Sequence, residues 1–177
     1  AGTLTAGINL LTGDEPANPT GGGGGSAIDT NDEAVGSLYI EPAALNPYQL
    51  ASGAWPQRTG EVAIDQTTAG KQNLPVGATV PLGTTAGRQQ AKVVGIVTYG
   101  SKPSSGTNGD VVVSAADGFA WLGSGQQQYD FILTTAAEGT STSQLVTNLQ
   151  QAVGSGYQVK SGDDFRQEQS GGAAELA

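Results

Sequence analysis

The sequence predicts an α+β fold, a mixed β-sheet with helices packed mainly on one face and room for two small lobes. Three observations carry that expectation. From Ser37 onward, short runs rich in β-branched residues are separated by Gly, Pro and Asn, which is the texture of strands and turns. The few helical stretches each carry one apolar stripe, and a single stripe needs a sheet to bury it. At 177 residues the chain is long enough for one good core or two small lobes.

Taken in order, the opening segment AGTLTAGINLLTGDEPANPT clusters Leu4, Ile8, Leu10 and Leu11 near helical spacing before Pro, Asn and Gly take over. A short helix or strand is expected there, followed by linker. Gly21 to Gly25, closed by Ser26, has no side chain to bury and reads as flexible coil. Such a run either occurs naturally or bridges a deletion, and its composition favours an engineered replacement of an internal segment. The organisation expected is an N-terminal segment over 1–20, a Gly-rich linker over 21–36, a core domain over 37–165 and a C-terminal helix over 166–177.

Strands are expected at Leu38 to Ile40, Val62 to Ile64, Thr79 to Leu82, Ala91 to Tyr99, Val111 to Val113, Phe131 to Thr134 and Tyr157 to Val159. Val62 and Ile64 alternate with Glu61, Ala63 and Asp65, as a strand with one buried face does. VVGIV over 93–97 is apolar on both faces and is expected to be central, with Gly95 marking a bulge or a close backbone approach. The clearest helix spans Ser143 to Val153, where Leu145, Val146, Leu149, Ala152 and Val153 form one stripe. Thr140 or Thr142 is expected to cap its start and Gly154 to close it with positive φ. A second helix is expected over Thr67 to Asn73 with Asp65 as cap, and a third over Ala115 to Leu122. SGDDFRQEQ starts a last helix from an Asp or Ser cap. Strand-helix-strand recurs twice after Val111, which favours a mixed sheet.

Charge and composition narrow the function classes. Seven Lys and Arg against 16 Asp and Glu leave a net charge of −9, which repels a phosphate backbone or an anionic membrane surface. No nucleic-acid partner is expected. Charged residues are only 13% while Gly, Ser, Thr, Gln and Ala abound, a neutral polar chemistry suited to an extracellular or cell-wall setting. There is no Cys and so no disulfide framework. No run approaches the roughly 20 apolar residues that span a bilayer. Met is absent even at position 1, and the chain is expected to be a piece of something longer.

Without His or Cys, neither an imidazole-activated nucleophile nor a zinc site of imidazole and thiolate can be built. No cofactor is expected. Gly70-Lys71 is followed by Gln72, lacking the hydroxyl residue a P-loop uses on Mg²⁺, and Gly123-Ser124-Gly125 is followed by Gln128 at the third fingerprint position. Asp29, Asn31 and Glu33 alternate like calcium-loop ligands, but Ala34 and Ile40 stand where that loop needs Gly and Glu. A solvated linker is the expectation, and no metal site. Glu61 and Asp65 share a strand face, yet at about 3.3 Å per residue they lie roughly 13 Å apart, too far for a glycosidase pair. Helix capping suits Asp65 better, as it does Asp163 and Asp164. Among the aromatics, Trp121 is expected in the core, whereas Tyr48 and Trp55, set by Gly53 and Pro56 in a turn, are the candidate partner or ligand surface.

The richest stretch runs from Leu50 to Gly100. Leu50 to Gly53 with Trp55-Pro56, Gly60-Glu61-Val62-Ala63-Ile64-Asp65, Thr68-Ala69 through Leu74, Val76-Gly77-Ala78-Thr79-Val80, and Val93-Val94-Gly95-Ile96-Val97 follow one another in order. This succession resembles the extracytoplasmic, MacB-like periplasmic core domain of FtsX-like ABC transporter permeases. Phe131 to Thr134, Glu138-Gly139-Thr140 and the Leu145 to Val153 helix are similar to that family's second lobe. The resemblance covers about 44–165; Ala78 stands at a position that is usually acidic, and a Gly-rich run stands where a further lobe is expected.

The resemblance implies a bacterial, actinobacterial-type protein of the cell membrane, with this domain on the extracytoplasmic side between two membrane helices. It implies a non-enzymatic role, coupling ATP hydrolysis by a cytosolic ABC ATPase subunit to substrate handling or partner activation outside. A lipoprotein, a lipid or a cell-wall hydrolase is the implied outer partner, and a dimeric permease with a monomeric isolated domain the implied assembly. The alternative is a freestanding secreted binding or adhesion module recognising glycan or protein through Tyr48 and Trp55. A secreted hydrolase would require a carboxylate pair in a cleft.

Overall fold

Two strands buried on both faces organise the molecule. Glu61–Asp65 and Asp110–Val113 are nearly all buried, and such strands are continuous apolar runs because no side of them meets water. The computed structural model describes residues 2–10, 33–41, 43–106, 108–126 and 128–174. The Gly21 to Ser26 run, Asp29 and Asn31 lie outside them.

The elements are β1 (Gly2–Thr3), β2 (Thr5–Leu10), β3 (Glu33–Leu38), β4 (Tyr48–Gly53), β5 (Glu61–Asp65), α1 (Gln66–Lys71), β6 (Thr79–Thr84) and β7 (Gly87–Tyr99). They continue with β8 (Asp110–Val113), α2 (Ala115–Trp121), β9 (Phe131–Ile132), α3 (Thr142–Val153) and α4 (Gly162–Ala174). Strands β1 and β9 pair as a separate two-stranded sheet, and the other seven form a mixed sheet in the order β4-β7-β5-β8-β3-β2-β6, with β6 also paired to β7. That last pairing closes a ring of β5, β8, β3, β2, β6 and β7 and leaves β4 attached outside it on β7. The thirteen-residue β7 makes closure possible. Its first half forms a hairpin with β6, from Thr84↔Gly87 to Thr79↔Lys92, and its second half runs parallel to β5 and antiparallel to β4.

Alternation sorts the side chains. Val62, Ile64, Val93, Val111 and Val113 join Ile8, Leu82, Trp121 and Leu122 in the main core cluster. Ala63 and Val112, one residue out of phase, and Val97, turned over by the register shift after Val93, join Tyr48 in a second cluster. Ala69 and Leu74, around α1, and Trp121 of α2 all pack on the main cluster. The bulge expected at Gly95 is present: Val62↔Val93 is followed by Ala63↔Gly95. A Cβ there would lie 2.3 Å from the Ala54 carbonyl oxygen.

Several expected boundaries move. The opening segment is strand, and β2 pairs with β3 and β6 inside the ring. The strand expected at Leu38 to Ile40 lies earlier, at Glu33–Leu38. Leu50 to Gly53, where no strand is expected from the sequence, is strand because β7 offers it an edge. Tyr157 to Val159 is not strand: Gln150 takes up its backbone groups, Nε2 donating to the Tyr157 carbonyl at 3.1 Å and Oε1 accepting from Val159 N–H at 3.2 Å.

Residues 1–133 and 134–177 form two units. In the second, Ser141 caps α3 and Gly154, at φ 72°, closes it. Ser161 caps α4, along which Lys160 pairs with Glu168 and Asp163 with Arg166.

Candidate functional site

The connection from β4 to β5 is held by three kinds of anchor. Ala54 N–H donates to the Val94 carbonyl at 2.8 Å, Pro56 is fully buried, and Gly60 N–H donates to Asp117 Oδ2 at 2.7 Å. Glu61 folds back on the turn, its Oε2 accepting from Gln57 N–H at 3.0 Å and Arg58 N–H at 3.1 Å. Those two N–H donors, helped by the charges of Arg58 and Lys92, hold its carboxyl below the usual carboxylate range.

This frame fixes Trp55. The indole is half-buried and stacks on Tyr39 with ring centroids 5.0 Å apart and planes 24° from parallel. One side of the connection opens into a groove of about 490 Å³ between Leu50, Gly53, Ala54, Trp55 and Val94, with Arg58 and Glu61 on its rim. On the other side a shallower hollow of about 380 Å³ reaches Tyr39, Glu41 and Ala115. An aromatic face, an apolar floor and two side chains of opposite charge, Arg58 and Glu61, suit the recognition of a partly apolar chain.

Tyr48 departs from its expected place at that surface. It is 8% exposed, and its hydroxyl donates to Asp110 Oδ1 at 3.1 Å and lies 3.2 Å from Ser37 Oγ. Burial in the second core cluster, with the Asp110 charge beside it, pushes the phenol well above its usual range. Tyr48 therefore supports the sheet under the site, and Trp55 alone of the two lines it.

Around Tyr48 lies a polar network that periodicity does not reveal. Asp110, fully buried, accepts from Tyr48, from the Ser104 hydroxyl at 3.2 Å, from Ser105 N–H at 2.7 Å and from the Ser105 hydroxyl. Its own N–H donates to Asp65 Oδ2 at 2.7 Å, while Asp65 Oδ1 caps α1 by accepting from Thr67 and Thr68 N–H. The expected capping role of Asp65 is thus joined to a second one, tying β5 to β8. A buried carboxylate with every lone pair engaged is a structural bolt. The one sequence cue for Asp110 was an acid immediately ahead of an all-valine strand.

The remaining candidates fall elsewhere. Trp121 is core, Tyr99 packs edge-on against Tyr48, and Asp164 bonds the Ser161 hydroxyl at 2.7 Å. Among the described residues no group of three or more His, Cys, Asp or Glu could hold a metal ion, and no helix is long and apolar enough to cross a membrane.

Compared with known protein families, residues 11–152 match the one described as the MacB-like periplasmic core domain. No curated protein and no solved structure matches the chain.

Proposed function

Because the chain belongs to the family of MacB-like periplasmic core domains, the extracytoplasmic part of ABC transporter permeases, we propose that it relays the ATPase cycle to events outside the membrane. A cytosolic ABC ATPase would act on it through the permease's membrane part, in a dimeric permease. The family match over 142 residues is the observation that carries this reading. The relay itself needs a body that moves as one piece, and a ring of strands paired on both sides has that stiffness.

The outward end of the relay is the Trp55 surface, where a lipoprotein, a lipid or a cell-wall hydrolase would be engaged or released. No chemistry is assigned to the domain. Its carboxylates Asp65, Asp110 and Asp117 are engaged in hydrogen bonds within the fold.

The test uses the whole permease with its ATPase in lipid nanodiscs, followed by amide hydrogen exchange in the nucleotide-free and vanadate-trapped states. Exchange over residues 53–61 is expected to differ between the two states. Identical exchange across the whole domain in both states would overturn the coupling role.

A further inference from the structure

Within the seven-stranded sheet the ring closes every strand but one. Among the described residues β4 has a single neighbour, β7, so its far side is an open edge. Tyr99 N–H turns to the Lys102 carbonyl at 2.8 Å, while Gly100 N–H meets the Pro47 carbonyl at 3.0 Å. The Tyr48↔Tyr99 pair is therefore of the non-hydrogen-bonded kind. Tyr48's backbone groups point away from β7, and Asn46 Oδ1 takes its N–H at 3.0 Å. Leu50, two residues on, shares that direction. Its N–H and carbonyl face the open side.

Natural sheets guard such edges with charge or proline. Here no residue from Pro42 to Gln57 is charged, strand β4 contains no proline, and Gln49 to Gly53 are exposed. The groove beside Trp55 begins at the same strand, with Leu50 and Gly53 in its wall. Leu50 and Gly53 thus belong to both the edge strand and the groove.

The charge at this surface differs from that of the whole. The chain carries −9, yet Arg58 stands on the groove rim and Lys92 sits opposite Glu61 in the β5–β7 register. Glu61 is the one carboxylate there, and it already accepts two backbone N–H groups. An occupant bearing a carboxylate complements this rim. A second copy of the chain would bring the uncharged stretch 42–57 and its own −9, which favours neither contact nor approach.

We propose that the open edge of β4 receives an extended segment of a partner protein as an added strand, with an apolar side chain in the groove and an acidic residue facing Arg58. Only extended backbone satisfies an outward N–H and carbonyl in the plane of a sheet, and the adjoining pocket supplies side-chain selectivity. The inference deepens the reading of the Trp55 surface by giving its partner a chemistry. Its test needs neither membrane nor nucleotide, so the two can fail separately.

The probe is a phage-displayed random dodecapeptide library selected against the whole purified chain, with affinities of the enriched peptides read by fluorescence anisotropy. Enriched peptides should alternate apolar residues and carry Asp or Glu. Their Kd should weaken at least tenfold against Leu50→Pro, which removes the outward N–H at a position where an edge strand tolerates proline, and against Arg58→Glu. N-methylation of alternate peptide amides should abolish binding, a readout that stands even if Leu50→Pro fails to fold. The proposal is overturned if no peptide is enriched, if Arg58→Glu binds as the wild type does, or if every N-methylated peptide still binds.

Discussion

Tyr48 shows how one side chain can serve two clusters at once. Its ring fills the second core cluster and its hydroxyl is one of the donors that keep the buried Asp110 carboxylate satisfied. Tyr48→Phe removes a donor from a buried acceptor, a change that costs about 1–3 kcal/mol. The pH dependence distinguishes this from simple loss of packing. Burial first, and the Asp110 charge second, raise the phenol above its ordinary value of about 10. A raised folded-state pKa contributes stability that is fully present below pH 10 and lost as the pH rises beyond it. Thermal melts from pH 8 to 11 should show the wild type converging on the less stable Tyr48→Phe variant above about pH 10. A constant gap between them would refute the account. The capping role of Asp65 was legible because its partners, Thr67 and Thr68, are its neighbours in sequence. Tyr48 was misplaced because its partners, Ser37 and Asp110, are brought to it by other strands.

At the scale of elements, the approach of α2 to the ring depends on a missing side chain. A Cβ at Gly36, in β3, would lie 2.5 Å from Ile8 Cδ1 and 2.7 Å from Leu122 Cδ2. Both side chains belong to the main core, where neighbours have little room to give. Gly36→Ala should therefore lower stability by about 1–3 kcal/mol through overpacking, seen as a lower urea midpoint with an unchanged slope. An unchanged midpoint would mean that α2 shifts freely on β3. Strands β5 to β8 could be read from the sequence because each is apolar enough to declare its buried face. β4 could not, since YQLASG has a weak strand composition and owes its form to the long neighbour β7. Tyr157 to Val159 failed the other way: the composition suits a strand, but Gln150 supplies the hydrogen bonds that a neighbouring strand would have made. The groove beside Trp55 was half legible, because the Gly53 to Pro56 turn stood out while the Val94 backbone that floors it did not.

For the molecule as a whole, the question is where cooperative stability resides. Every residue of the two core clusters lies between Leu4 and Leu122, inside the unit spanning Ala1–Leu133. The unit Thr134–Ala177 has no buried residue in α3, although Leu145, Val146 and Leu149 repeat along one stripe. Its contacts include the Ser141 and Ser161 caps, the Gln150 bonds to the 154–159 segment and two ion pairs. Caps contribute about 1 kcal/mol each and exposed ion pairs less, whereas a buried aliphatic side chain contributes about 1.5–3 kcal/mol. The ring therefore holds most of the stability. A chain ending at Leu133 should melt cooperatively, with a Tm within about 5 °C of the whole chain, and should keep the near-ultraviolet dichroism of the buried Trp121. Broad, non-cooperative melting of that shortened chain would show that residues 134–177 complete the core, and the stiff ring could then not be the moving body of the relay by itself.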